Sequence, residues 1–200
     1  MNPTINKTDE TTAEIEVSVT YDEANKLRRL LLSGIPTIAI DEITILKSTN
    51  SKINDILSQR LSLSPFCYNN YPVSSLGTTL DSILTIKNDI REDRIITTKD
   101  IISDDQCKPL FNTYLVYVTS MQQVDLRATL KIGIGVFHGK WSPVTIATSN
   151  KTDRGYKIEI ETLRGIDPVD VMKKGIEMYN DGHTLEKIEK KYRENFMVSD

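Results

Sequence analysis

Residues with the chemistry for catalysis are few in this chain and are not grouped. His138 is a candidate general base because histidine titrates near neutral pH. Its neighbourhood holds no nucleophile, however, and the second histidine, His183, stands at a hydrophilic helix start. Asp41 and Glu42 could form an acid pair, but they follow an apolar strand and are interpreted as its exposed end. The Gly133-x-Gly135 motif lacks the third glycine and the helix of a dinucleotide-binding loop. The sequence therefore predicts no catalytic residue.

The two cysteines do not indicate a metal site. Cys67 and Cys107 are far apart in the sequence, and neither belongs to a CxxC or Cys/His pattern of the kind that binds zinc. We therefore expect no metal and no cofactor in this chain, and a reduced compartment.

The residues best suited to recognition are arginines. Arg28 and Arg29 are adjacent, and two guanidinium groups on a helix flank can form bidentate pairs with carboxylates of another protein. The alternative is a solvated helix face, which is the usual interpretation of an arbitrary Arg-Arg pair. Arg60 carries the same hypothesis, with a stem that packs inside its own domain as the alternative.

One more candidate contact lies in a loop that contains glycine. Lys140 and Trp141 form an amphipathic pair of the sort that anchors interfaces. Trp141 is the single tryptophan of the chain, and a place in a domain core is an equally weighted alternative for it.

Composition limits the classes of function. A chain of 200 residues with 38% hydrophobic content can bury a core, and its formal charge of −3 lacks the basic excess of a nucleic-acid clamp. Any link to DNA is therefore expected to be indirect. The N-terminus lacks the apolar core of a signal peptide, and no stretch reaches the roughly 18 apolar residues that span a bilayer. We expect a soluble intracellular protein with no membrane partner.

The adjacent arginines depend on a helix predicted from Asp22 to about Ser33. Its apolar residues recur at three- and four-residue spacing and so share one face. They are Ala24, Leu27, Leu30 and Leu31. Asp22 is the predicted N-cap and Gly34 ends the helix, after which a strand is predicted over Ile38–Leu46.

The rest of the pattern is β-rich in the middle and mixed at the end. Alternation predicts strands at 15–19 and 156–161, and a helix is predicted at 53–63. Only strand-like segments follow that helix: 80–86, 94–98, 113–118 and 126–132. Asp167 and Pro168 have the residue types of an N-cap and a first helical position, and Thr184 can begin another helix.

These elements predict an α+β fold with two domains. Residues 13–46 alone are too few to bury both their apolar faces, so we expect them to join residues 152–198 in one discontinuous domain, a sheet with packed helices. Residues 47–151 then form an inserted β-rich domain. Residues 1–12 are polar and are expected to be a flexible N-terminus.

Four segments in order resemble the alpha-type assembly subunit of multisubunit RNA polymerases, the family of bacterial alpha, the archaeal D subunit and the third-largest nuclear subunit. The segments are Asn25–Asp41 (NKLRRLLLSGIPTIAID), Asn54–Pro65 (NDILSQRLSLSP), Gly133–Val144 (GIGVFHGKWSPV) and Tyr156–Pro168 (YKIEIETLRGIDP). Ser62 and Ser64 stand where the family usually has Gly and Ile, a departure that affects loop rigidity more than fold. The resemblance covers roughly residues 13–180.

The resemblance implies a subunit that is not catalytic. It implies pairing with a smaller alpha-like subunit, followed by docking of the second-largest and largest catalytic subunits and of small accessory subunits. Magnesium is expected only in the large subunits. The predicted dimer interface comprises Leu27, Leu30, Leu31, Ile35, Val169, Met172 and Ile176. The predicted large-subunit contacts are Arg28, Arg29, Arg60, Lys140 and Trp141.

Two family features are not expected here. The inserted segment carries no cysteine cluster for zinc or iron–sulfur, and the length after Pro168 leaves no room for the separate C-terminal domain of bacterial alpha.

Two alternative functions stay open at this point, and so do the source and the location of the protein. The chain could be an interaction module with the same dimer fold outside transcription, or an enzyme with an unrecognised site. Its composition fits an AT-rich cellular genome or a large DNA virus, so nucleus, cytoplasm and virion are all open locations.

Overall fold

A computed structural model describes residues 3–49, 51–67, 69, 71–88, 92–102, 108–120 and 122–196. The chain divides into two compact units. Unit 1 comprises Met1–Thr37, Tyr68–Gly77 and Gly133–Asp200, and unit 2 comprises Ile38–Cys67 and Thr78–Ile132. Each unit contains both helix and strand, so the predicted α+β class is confirmed.

Unit 1 contains a four-stranded antiparallel sheet. Its strands are β1 (Ile5–Lys7), β2 (Thr12–Val17), β8 (Val144–Thr152) and β9 (Gly155–Thr162). The spatial order is β1-β2-β9-β8, with Ile15 opposite Ile158 and Ala13 opposite Ile160 at the centre. These four side chains are buried, because period-two alternation places them on one face of the sheet.

Three helices complete unit 1: α1 (Tyr21–Ser33), α3 (Pro168–Asn180) and α4 (Leu185–Phe196). The first of them, α1, packs on β8 and β9 and also contacts α3 and α4. The predicted caps of α3 are confirmed, since the Asp167 side chain accepts from the Val169 N–H and Pro168 occupies the first turn.

The described residues of unit 2 form an α-helix and two sheets, and one of these sheets includes a strand that begins in unit 1. That strand is β3 (Thr37–Ser48), and the helix is α2 (Ser51–Ser62). The other strands are β4 (Thr79–Asn88), β5 (Arg94–Thr97), β6 (Tyr114–Val118) and β7 (Val124–Gly133). The order β3-β7-β4 makes one sheet, β5 and β6 pair as a second, and α2 packs against β6.

The start of α1 differs from the prediction. Its N-cap is Thr20 rather than Asp22, because Thr20 and Glu23 form a reciprocal capping box. The Thr-x-x-Glu spacing was present in the sequence and is the stronger signal.

The N-terminal residues are also more ordered than predicted. Instead of a flexible lead, β1 pairs with β2, and the connection is closed by Asp9, whose Oδ1 accepts from the N–H groups of Thr11 (2.8 Å) and Thr12 (2.7 Å). Donation by the Thr11 N–H is the main cause of a lowered pKa for Asp9. An Asx turn of this kind stabilises a tight connection from the side chain of one residue.

The division into units lies at different residues from the predicted domain boundaries. Residues 144–151 were expected in the inserted domain, but β8 forms a hairpin with β9 and so belongs to unit 1. The exposed, polar side chains of this strand explain why its sequence did not indicate a strand.

Candidate protein-contact surfaces

The N-terminus of α1 is fixed by its capping box. The Glu23 carboxylate accepts from the Thr20 N–H at 2.9 Å, and the Thr20 hydroxyl accepts from the Glu23 N–H at 3.4 Å. Hydrogen bonding from the Thr20 backbone is the main cause of a lowered pKa for Glu23. This arrangement fixes the residue at which α1 begins.

The C-terminus of α1 is capped by the segment that follows β7. The Ser142 hydroxyl donates to the Leu32 carbonyl at 2.8 Å, and the Val136 N–H donates to the Ser33 carbonyl at 3.1 Å. The last carbonyls of a helix have no partner within the helix, so these bonds satisfy groups that need one. Val136 and Ser142 of the Gly133–Val144 motif therefore stabilise the C-terminus of α1.

The predicted interface leucines lie inside unit 1. Leu27, Leu30, Leu31 and Ile35 are 0% exposed, and Met172 is equally buried. Ile176 is 7% exposed and Val169 is half-buried. An apolar helical stripe predicts burial, but it does not distinguish the core of the chain from a seam between chains. Their role in pairing therefore stays a prediction.

The two adjacent arginines have different surroundings. Arg28 is half-buried, and its Nη2 and Nε donate to Asn25 Oδ1 at 2.8 and 3.2 Å. Arg29 is exposed, and its Nη1 lies 2.8 Å from Glu186 Oε1 of α4. Side-chain exposures of 46% and 59% make this ion pair weak and easily exchanged. Arg29 is thus the better placed of the two to meet a carboxylate of another protein.

The third predicted contact, Arg60, is exposed on α2. Its guanidinium carbon lies 4.8 Å from the centre of the Tyr114 ring. No carboxylate within the described residues forms an ion pair with it. A cation held over an aromatic face keeps its N–H groups available at the edge.

Trp141 lies in the core, which is one of the two places predicted for it. It is 6% exposed, and an added Cβ on Gly133 would lie 2.4 Å from two atoms of the indole ring. Lys140 Nζ lies 4.3 Å from the ring centre. Of this pair, Lys140 is the one with a charge near the surface, and its side chain is half-buried.

His138 has a structural environment. Its Nδ1 accepts from the Lys140 N–H at 3.1 Å at the start of a short 3-10 turn. Across the described ranges, no group of three His, Cys, Asp or Glu residues could hold a metal ion. A cavity of about 500 Å³ in unit 2 is lined by apolar residues and by Thr98, Lys99, Lys108 and Asn112. The Thr98 hydroxyl donates to the Phe111 carbonyl and accepts from the Thr113 N–H.

Sequence reasoning missed how α4 is held. The rings of Phe137 and Tyr192 stack, with their centres 4.1 Å apart and an interplanar angle of 27°. The guanidinium carbon of Arg193 lies 5.7 Å from the centre of the Phe137 ring. Leu185 and Ile188 of the same helix are buried. The helical spacing of Leu185, Ile188 and Tyr192 is visible in the sequence, but their partner on the 135–137 turn is not.

Comparison with known proteins gives matches to one family. The family described as RNA polymerase Rpb3/Rpb11 dimerisation domain matches residues 14–181. The chain is 29% identical over 130 residues to DNA-directed RNA polymerase subunit Rpo3 of Methanobrevibacter smithii, covering 61% of this chain and 47% of the relative. It is 30% identical over 155 residues to the Rpo3 subunit of Methanosphaera stadtmanae, covering 69% and 55%. For the Rpo3 subunit of Methanocaldococcus jannaschii the identity is 21% over 155 residues, covering 78% of each chain.

The matches cover a larger share of this chain than of most of these relatives. The chain spans about half the length of the first curated relatives it matches. Among the described residues, none of the helices has the length and apolar character needed to cross a membrane.

Proposed function

This chain belongs to the family of the RNA polymerase Rpb3/Rpb11 dimerisation domain, and from that membership we propose that it is a non-catalytic assembly subunit of a DNA-directed RNA polymerase. The observation that carries the proposal is the extent of the family match, which runs from residue 14 to residue 181 and includes all four motifs. Polymerase names among the relatives support the same class.

The proposed work of this subunit is to present surfaces. It pairs with a smaller alpha-like subunit, and the pair positions the second-largest and largest subunits, with small accessory subunits added to the assembly. Nucleotide chemistry and its magnesium belong to the large subunits, and contact with DNA is indirect. His138 has a local structural contact, since its Nδ1 accepts from the Lys140 N–H.

Pairing is proposed to use helices α1 and α3. Leu27, Leu30, Leu31, Ile35, Met172 and Ile176 hold the core on which these two helices rest, with Val169 nearer the surface. Because most of these side chains are already buried within the chain, we propose that they stabilise the two helices whose outer surfaces contact the partner. A charge placed at Leu27 would disrupt the core of the chain itself, so it is a poor test of pairing.

Docking of the large subunits is proposed to use the exposed cations. Arg29 can exchange Glu186 for a carboxylate of a large subunit at small cost, because both partners of its present ion pair are exposed. Arg60, exposed with its guanidinium over Tyr114, and the half-buried Lys140, with its ammonium over Trp141, are further proposed contacts. Arg28 and Trp141 hold their local structure in place.

The test is purification of the tagged chain from its own source, followed by mass spectrometry. We expect one smaller alpha-like subunit and two large polymerase subunits in comparable amounts. An Arg29→Glu variant should keep the small partner and lose large subunits. Arg154→Glu, in the exposed turn between β8 and β9, is the matched control. Recovery of the wild-type chain without any polymerase subunit would overturn the proposal.

A further inference from the structure

The two-stranded sheet of unit 2 contains a β-bulge with a specific effect on its tyrosines. Ile95 pairs with Tyr117 and Ile96 with Val116, but Thr97 pairs with Tyr114, so Leu115 is the extra residue. Leu115 and Val116 are both buried, although neighbours in a regular strand point to opposite faces. The bulge therefore places Tyr114 and Tyr117, three positions apart, on the same outer face.

This outer face is unusually apolar for exposed surface. Ile95 is 54% exposed, Tyr117 47% and Tyr114 44%. Arg60 of α2 lies over Tyr114. We call Arg60, Ile95, Tyr114 and Tyr117 the Tyr114 face. Tyrosine and arginine beside aliphatic side chains are the residue types that contribute most to binding at protein interfaces.

The tyrosine rings are held in place before any partner arrives. The Tyr117 hydroxyl donates to Asp93 Oδ2 at 2.7 Å, and the Ser120 N–H donates to Asp93 Oδ1 at 2.8 Å. The Arg60 guanidinium restrains the Tyr114 ring from above. Side chains that are already ordered lose less entropy on binding, so this face is preorganised.

Arg60 is the cation of this face, and Asp93, whose carboxylate accepts from uncharged groups of Tyr117 and Ser120, adds a negative charge beside Tyr117. Asp93 is occupied by Tyr117 and Ser120, and Asp100 by Arg94. Arg60 is left with a stacked ring and, within the described part of the chain, no carboxylate. A partner that buries this face must bring a carboxylate to Arg60, because burial of an unpaired guanidinium is costly.

We infer that the Tyr114 face binds an acidic segment of a large polymerase subunit, with a carboxylate on Arg60 and apolar side chains on Ile95, Tyr114 and Tyr117. This inference rests on the proposed function for the identity of the partner. It adds Ile95, Tyr114 and Tyr117 to the contact already proposed for Arg60. It also adds the chemistry of the segment that these residues bind.

The experiment is affinity purification of the tagged full-length chain carrying Arg60→Glu or Ile95→Asp. Both positions are exposed, so the fold should survive, and circular dichroism with thermal unfolding checks that it does. We expect at least about a tenfold loss of the large subunit, as for a central charged contact, with the smaller alpha-like subunit retained. Arg127→Glu, an exposed position on β7 in the other sheet of unit 2, is the control and should retain all subunits.

A photocrosslinking residue at Ile95 provides the second measurement. It should capture a peptide of a large subunit that contains Asp or Glu, whereas the same residue at Ile146, which is 51% exposed on β8, should not capture that peptide. Wild-type amounts of the large subunit with both variants would overturn the inference and the proposed Arg60 contact, while the proposed role as an assembly subunit would stand. An equal loss with Arg127→Glu would also overturn it. Absence of polymerase subunits from the wild-type purification would instead overturn the proposed function.

Discussion

Gly175 of α3 lies directly against Leu31 of α1. A Cβ built on Gly175 would be 2.3 Å from Leu31 Cδ2 and 3.0 Å from Leu31 Cγ, both far inside van der Waals contact. The absent side chain is what allows the two helices to approach at this point. Glycine weakens a helix interior, so its presence here is explained by packing and not by helix propensity.

Gly175→Ala should therefore destabilise the chain despite the better helix propensity of alanine. The propensity gain of about 1 kcal/mol is outweighed by overpacking against a fully buried leucine, and we expect a net loss of about 1–2 kcal/mol in the free energy of unfolding. Urea denaturation measures it. Gly139→Ala, where a Cβ would meet nothing within 4 Å, is the control and should be near neutral. Combining Gly175→Ala with Leu31→Ala should cost less than the sum of the two.

Gly133→Ala should disturb the only tryptophan. Its Cβ would overlap the Trp141 ring at 2.4 Å, so the indole must move from its buried position. We expect a loss of about 1–3 kcal/mol and a shift of tryptophan emission to longer wavelength as the ring meets water. Because Trp141 is the single tryptophan, fluorescence reports this site alone. Unchanged emission and stability would show that the ring is not packed on Gly133.

The cap of α3 should contribute a small, acid-sensitive stabilisation. The Lys7 ammonium at 3.0 Å is the main cause of a lowered pKa for Asp167. A pKa lowered by folding adds stability above the ordinary aspartate pKa of about 3.9 and loses it as pH falls through the folded value. Asp167→Asn keeps a capping oxygen but not the charge. Since both partners are partly exposed, we expect a difference of less than about 1 kcal/mol at pH 7.

That difference should disappear in acid. Urea midpoints of the wild type and Asp167→Asn, measured from pH 7 down to pH 2.5, should converge below the usual titration range of aspartate. Asp153→Asn, in the exposed β8–β9 turn, is the control for the removal of a surface carboxylate. A difference that persists at low pH would contradict the charge-based account.

Helix α4 should be held by its apolar contacts more than by its ion pair. Glu186→Gln removes the exposed partner of Arg29 and should cost less than about 1 kcal/mol. Ile188→Ala removes a side chain that is 1% exposed, and a loss of about 2–4 kcal/mol is expected. Hydrogen exchange of the α4 amides distinguishes the two variants. Faster exchange in Glu186→Gln than in Ile188→Ala would reverse this ranking.

Local elements were predictable where they depend on residues that are close together in the sequence. The apolar spacing of α1, the Gly34 stop, and the Asp167-Pro168 start of α3 all follow from short-range rules and are confirmed. The α1 N-cap was wrong because Asp22 was considered alone, whereas Thr20 and Glu23 act as a pair.

Features that depend on distant partners were not predictable. β8 is recognisable only through its pairing with β9, since its own side chains are mostly polar. The same limit applies to the candidate surfaces. Nothing in the sequence of Tyr114–Val118 states that a bulge at Leu115 turns both tyrosines outward, because the register is set by β5.

The capping of α1 by Ser142 has a consequence for synthesis of the protein. The two residues joined by that bond, Leu32 and Ser142, are 110 positions apart. At typical translation rates, roughly 6–22 s separate their emergence from the ribosome. Strands β2 and β9 impose a similar delay on the sheet that covers α1. The segments of unit 2 are complete in the nascent chain before unit 1 can close. During that interval the leucine stripe of α1 lacks its cover, so the nascent chain exposes an apolar surface that favours aggregation.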